Sequence, residues 1–196
     1  MYLCPMRHKD DQKTDLFFTS TLALVSQVGL VGLTIPLIAK RSGVATGTLY
    51  IYFKNKEDLI LALYKDIKKR FGSTVFIGYS PEMSVEEGLR TIWENTVRYS
   101  VSHYSEEVFL QQFNISPYSK GPEVMAFAGN QMQPLVELIA RGQQLSLLKP
   151  DKHLIRQLFI GFIQQIGSDI HHSPALLTRT WLDTSFRFFW DAIKAT

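Results

Sequence analysis

The sequence predicts an all-α protein, a three-helix head followed by a larger helical body, and three observations carry that prediction. Apolar residues recur at helical spacing along most of the 196 residues, and no segment alternates as a half-buried strand does. Between Thr34 and Lys56 the chain reads TIPLIAKRSGVATGTLYIYFKNK, two short helical stretches on either side of Gly43-Val44. The last two segments are apolar on more than one face, which requires burial on more than one side. With 45% hydrophobic residues the chain can bury a sizeable core, and 12 glycines and 8 prolines are too few for a low-complexity chain.

A first helix is expected from about residue 11 to 28, with Leu16, Phe17, Leu24 and Val25 as its inward stripe and Gly29 as its C-cap. Thr34 caps the second helix, which ends before Gly43, where the absent Cβ permits a left-handed turn. The third covers about residues 45–53. Asn55 caps a fourth, paired with Asp58, and Leu59, Ile60, Leu63 and Ile67 keep the helical period up to about Phe71. Residues 72–83 read as a loop or a frayed extension of that helix. Ser84-Val85-Glu86-Glu87 is a capping box that opens a fifth helix reaching about His103. A short helix over residues 106–113 precedes a loop rich in Ser, Pro and Gly. Pro122 opens a helix to about Leu147 that Pro134 kinks or splits. Lys149-Pro150-Asp151 starts the penultimate helix, and Ser173-Pro174 separates it from the last. The head is assigned to residues 1–55 and the body to residues 56–196.

Residues 1–71 hold 11 Lys/Arg against 6 Asp/Glu, which leaves 10 against 12 for the rest: an excess of five positive charges, then a deficit of two. That asymmetry suits a head that meets nucleic acid, and equally an ordinary solvated basic face. The single cysteine, Cys4, excludes an internal disulfide framework and a zinc site built on paired thiolates, and agrees with a reducing, cytoplasmic setting. Residues 16–39 carry no charge and, behind Arg7, Lys9 and Lys13, imitate a signal peptide or membrane span. Asp10, Asp11 and Asp15 spoil the basic flank. Thr19, Ser20, Thr21, Ser26 and Gln27 dilute the apolar run, and Gly29, Gly32 and Pro36 break it. Helix, bend and second helix is the better reading, with no membrane partner.

A helix, a glycine turn and a second short helix carrying outward polar and aromatic residues is the form in which a helix-turn-helix enters the DNA major groove. Ile38, Val44, Leu49 and Phe53 face inward and set the angle between the two helices, with small Ala39 at the crossing. Thr46, Gly47, Thr48, Tyr50 and Ile51 are left for the groove. Threonine hydroxyls pair with base edges or phosphates, their methyls touch thymine, and Gly47 allows close approach. Tyr50, Tyr52 and Lys56 are placed to grip the backbone, and Thr34 and Pro36 join them at the start of the first of the two helices. For either tyrosine the alternative is a ring packed on the head's own core. Lys40, Arg41, Lys54, Lys56, Arg7 and Lys9 supply the electrostatic attraction.

The pattern Thr34-x₃-Ile38-Ala39-x₃-Gly43-Val44-x₂-Gly47-Thr48-Leu49-Tyr50-x-Tyr52-Phe53-x₂-Lys56-Glu57-x-Leu59 resembles the DNA-binding signature of TetR-family transcriptional regulators. The resemblance covers about residues 11–64; beyond it only helical outline and length agree. It implies phosphate contacts at Tyr50, Tyr52 and Lys56, a body that binds a small-molecule effector, and a homodimer on double-stranded DNA. The sequence departs from the pattern at Ala45, where a capping Ser or Thr is usual, and at Pro36 and Leu37, where polar residues are usual.

In the body, Leu89, Ile92, Trp93, Thr96, Val97 and Ser100 form one stripe with two hydroxyls, able either to orient a ligand or to bond back to the helix. With Phe109, Gln112, Phe113, Phe127, Gln131 and Phe159 they are candidates for a pocket that takes an apolar or aromatic ligand; an ordinary core of large residues is the other reading. Leu154, Ile155, Leu158, Phe159, Phe162, Ile163 and Ile166 cover more than one face of the penultimate helix, and Leu177, Trp181, Leu182, Phe186, Phe188, Phe189, Trp190 and Ile193 nearly encircle the last. A two-fold four-helix dimer interface follows, with Leu158, Gly161, Phe162, Gln165, Leu177, Trp181 and Phe188 as its candidates; burial within the monomer is the alternative. Two such heads would meet successive major grooves about 34 Å apart on a palindrome.

No Ser-His-Asp order, phosphate loop or HExxH is present, Glu86-Glu87 and Glu106-Glu107 diverge on a helix, and His171-His172 lacks further metal ligands. The expectation is therefore no enzyme, cofactor or metal. The chain reads as a cytoplasmic, nucleoid-associated, ligand-responsive dimeric regulator, a repressor released from a palindromic operator by its ligand. The alternative is a TetR-like helical module, a co-regulator, docking on a protein partner.

Overall fold

The computed structural model describes residues 6–195; Cys4 lies outside them, and so do the side chains of Arg7, Lys9 and Asp10. Among the described residues there are ten α-helices: α1 (Met6–Gly32), α2 (Ile35–Ser42), α3 (Thr46–Tyr52), α4 (Lys56–Val75), α5 (Val85–Ser102), α6 (Tyr104–Ile115), α7 (Pro122–Gln131), α8 (Gln133–Gln144), α9 (Lys152–His172) and α10 (Arg179–Ile193). The all-α class predicted from periodicity is the one observed. An isolated antiparallel bridge, Leu148 to Lys194, straps the chain end to the turn after α8.

Local chemistry sets the helix ends. Thr34 accepts from the Leu37 amide at 3.3 Å, and Gly43 takes φ 68° and ψ 26°, the left-handed cap that its missing Cβ allows. Asn55 accepts from the Asp58 amide at 2.8 Å while Asp58 accepts from Lys54 at 3.0 Å. Ser84 and Glu87 form the reciprocal capping box, whose hydrogen bonds hold the Glu87 carboxyl below its ordinary value. Ahead of Pro134 the long helix breaks at Met132, separating α7 from α8.

The chain forms two compact units: residues through Ile67 together with Val108–Met125, and Lys68–Glu107 together with the remainder from Ala126. The first division thus falls inside α4, twelve residues beyond the boundary assigned from sequence at 55/56.

The first unit is centred on Phe17, Leu30, Leu33, Ile38, Leu49, Leu59, Leu63, Phe109 and Phe113, all buried. Phe17 meets Tyr52 and Phe53 edge-on at 5.4 and 6.3 Å, and Tyr64 stacks on Phe113 at 4.1 Å. One helical window, residues 11–32, is long and apolar enough to cross a membrane; its Phe17, Phe18, Leu24, Val25 and Leu30 are buried in this core, as in an ordinary core helix.

The second unit is built around Trp93. Its ring stacks on Phe189 at 4.7 Å, meets Phe159 and Phe186 edge-on, and donates from Nε1 to Ser185 Oγ at 3.2 Å. α5 packs along α8, α9 and α10 in this unit. The carboxylate of buried Glu106 accepts from Arg70 and from Tyr99 Oη, both at 2.6 Å. Burial, then the bond to Glu106, push the Tyr99 hydroxyl well up from its ordinary value. Burial also raises the neighbouring Glu107 carboxyl, against the pull of Lys68.

Candidate nucleic-acid interface

The interface starts from the Gly43 turn. α2 presents Ile35, Ile38 and Ala39 inward and leaves Thr34, Pro36, Lys40 and Arg41 exposed. After the turn, α3 is only seven residues long and buries a single side chain, Leu49. Phe53 closes it by turning into the core. Apart from Tyr52, the rest of α3 is available outward: Tyr50 is 55% and Ile51 81% exposed, Gly47 is exposed, and Thr46 and Thr48 are half-buried. A Cβ placed on Gly47 would meet nothing within 4 Å, so the fold itself does not demand glycine there. Ala45 offers no side-chain bond to the start of α3, the missing cap that the sequence implied.

The two tyrosines part company. Tyr50 projects from the surface, whereas the Tyr52 ring is half-buried against Phe17 with Lys13 Nζ 5.8 Å from its centre. Lys56 is half-buried at the first turn of α4 and Lys54 is exposed beside it. The head thus gathers Thr34, Pro36, Thr46, Gly47, Thr48, Tyr50, Ile51, Tyr52 and Lys56 on α2, α3 and the start of α4.

The candidate ligand residues are divided between the units. Trp93, Thr96, Ser100, Phe127, Gln131 and Phe159 belong to the second, Phe109, Gln112 and Phe113 to the first. Trp93 and Phe159 fill the core against each other, and Thr96 donates back to the Ile92 carbonyl at 2.6 Å. Ser100 Oγ is buried without a hydrogen-bond partner among the described residues, and a Cβ on Gly167 would collide with it. Phe127 and Gln131 are half-buried, and Gln131 lies over Gly72. Gln112 accepts from the backbone amide of Leu30 at 2.6 Å, a pairing 82 residues apart in sequence that nothing local announces. Two clefts, of about 210 Å³ beside Asn95, Arg98 and Tyr99 and of about 550 Å³ beside Leu61, Tyr118 and Pro122, are lined by none of these residues.

On α9 and α10, Gly161, Gln165 and Phe188 are exposed and Leu158, Phe162, Leu177 and Trp181 half-buried; Phe188 stands 66% exposed, with Leu154 and Ile160 also uncovered. Gly161 has open space around it, while Gly167 is buried against α5.

A left-handed glycine turn between two short helices, set in a three-helix core with the second helix turned outward, defines a helix-turn-helix protein. Residues 18–63 match the bacterial regulatory proteins of the tetR family. It is 34% identical over 86 residues to an HTH-type transcriptional regulator of Haemophilus influenzae, a match over 42% of this chain and 46% of that one. It is 27% identical over 134 residues to the fatty acid metabolism regulator protein of Bacillus subtilis, over 65% and 68% of the two. The chain thus spans about half the length of the first relative. The crystal structure of a TetR family transcription regulator from Marinobacter aquaeolei superimposes with a TM-score of 0.88 at 25% identity, covering 97% of this chain and all of the other.

Proposed function

We propose that the chain is a ligand-responsive, homodimeric regulator that reads a palindromic DNA operator through α3 and acts as a repressor released by its ligand. The observation that carries this reading is a seven-residue helix that gives its fold one buried side chain and leaves Tyr50 and Ile51 exposed. Thr46, Thr48 and Ile51 reach base edges, Gly47 permits close approach, and Tyr50, Lys56, Thr34 and Pro36 meet the backbone. Tyr52 contributes through the half-buried ring that orients Lys13. The match of residues 18–63 to the tetR family supports the same reading.

The apolar side chains left uncovered on α9 and α10 support a two-fold dimer, since exposed Phe188 and half-buried Leu158, Phe162 and Trp181 would gain by burial against a second copy. Phe188→Asp is expected to give monomers by sedimentation where the parent gives dimers. The ligand is small and apolar or aromatic, in line with the relative named for fatty acid metabolism. The packing around Trp93 is tight, so an effector that enters there must displace side chains and thereby favour a different body conformation. The protein-docking alternative rested on the thin charge of α2 and on an exposed Leu37, and Leu37 is half-buried.

The test is selection of duplexes from a random pool by purified protein at moderate salt. A recovered palindrome with half-sites about one helical turn apart supports dimeric major-groove reading. Enrichment of no sequence by folded, dimeric protein rules it out.

A further inference from the structure

α1 does not run unbroken into the turn that precedes α2. At Gly29 the backbone takes φ 71° and ψ 168°, a conformation that L side chains rarely adopt, and helical geometry resumes for one short turn to Gly32. A break of this kind takes the following amide out of the regular helical ladder, and a buried amide left without an acceptor is costly. Leu30, whose side chain is buried, carries that amide, and its partner is Gln112 Oε1 at 2.6 Å. A Cβ on Gly29 would stand 3.3 Å from the same oxygen, so glycine is required both by its dihedral angle and by the approach of Gln112.

The donor and the acceptor are both held firmly. Leu30 and Leu33 are buried between the break and α2, and Ile35 is buried as that helix begins, so the direction in which the chain leaves Gly29 determines where Thr34 caps α2. On the other side Gln112 lies between Phe109 and Phe113 on α6, both fully buried in the same unit, and Phe113 is clamped by its stack on Tyr64 of α4.

We propose that Gln112 is a positioning residue of the DNA-reading head: by holding the Leu30 amide at the Gly29 break it fixes the junction from which α2, and with it α3, is set. This rests on the reading of α3 as the DNA-contacting helix. It also gives Gln112 a role other than ligand contact, because its acceptor oxygen is engaged with backbone. The glycine break and the glutamine form one device, 82 residues apart in sequence.

Three proteins test it: the parent, Gln112→Leu, which keeps bulk but has no acceptor, and Gln112→Glu, which keeps an acceptor oxygen. Two quantities are read on each, the exchange rate of the Leu30 amide by NMR and the affinity for the duplex that the parent enriches from a random pool. In Gln112→Leu the Leu30 amide exchanges about tenfold faster and duplex affinity falls about tenfold, while exchange of amides in α5 and α9 stays as in the parent. Gln112→Glu keeps both within about threefold of the parent. Unchanged Leu30 exchange in Gln112→Leu overturns the bond, and faster exchange with parental affinity overturns its positioning role. If the folded parent enriches no duplex, the DNA reading fails and the positioning role falls with it, while Leu30 exchange still reports separately on whether the bond is made.

Discussion

Large side chains meet opposite fates in the two units. Around Trp93 every aromatic has an internal use: Phe159, Phe186 and Phe189 enclose the indole, and Ser185 receives its N–H. On α3, Tyr50 and Ile51 stand in solvent, and the helix is held mainly by Leu49 and the turn before it. An exposed β-branched residue and an exposed tyrosine on so short a helix do little for their own fold, which agrees with the proposed contact to DNA. In the body, by contrast, Trp93 and Phe159 are taken up by packing and Thr96 by a bond to its own helix, while Ser100 Oγ is buried without a partner among the described residues.

The comparison breaks most readily at Trp93. Trp93→Ala should cost about 4 kcal/mol of stability, read as a fall in denaturation midpoint, because it opens a cavity among rings that cannot collapse. Ser185 retains its own bond to the Leu182 carbonyl at 2.9 Å, so packing dominates the loss. Where the variant stays folded, its duplex affinity should match the parent. Tyr50→Ala should reverse the pattern: stability within about 0.5 kcal/mol of the parent, and duplex affinity at least about tenfold weaker. Gly47→Ala is a finer probe. With nothing within 4 Å of the new methyl and a helical position to gain from it, the midpoint should stay level or rise slightly, while affinity drops severalfold from lost approach to DNA. The smallest effect belongs to Ser84→Ala, which removes the α5 cap and should lower the melting temperature by about 3 °C near neutral pH. Glu87 is held below its ordinary value of 4.5 by Ser84, so its share of the stability is present above that pH and is lost as pH falls through the depressed value. The difference between parent and variant should therefore shrink in acid.

The helix ends were legible because their signals are local. Thr34, Gly43, Asn55 and the Ser84 box each act within four residues, and each sits where the sequence placed it. Ser173-Pro174 also separated α9 from α10, and Pro134 located the break between α7 and α8. What stayed hidden is pairing over distance. Gln112 looked like a pocket amide because nothing near it in sequence reveals the Leu30 amide, and Tyr52 looked like a twin of Tyr50 until Phe17 and Lys13 gave it an inward place. Likewise Gly161 and Gly167 are alike on paper, and only packing shows one facing open space and the other pressed on Ser100.

The central claim is that α3 is the surface DNA covers, and amide hydrogen exchange with and without the selected duplex tests it most directly. The account predicts slowed exchange in residues 34–56, strongest on α3, with the helices around Trp93 little changed in the same sample. Protection confined to the second unit, with exchange across α2 and α3 unaltered by bound duplex, would contradict it.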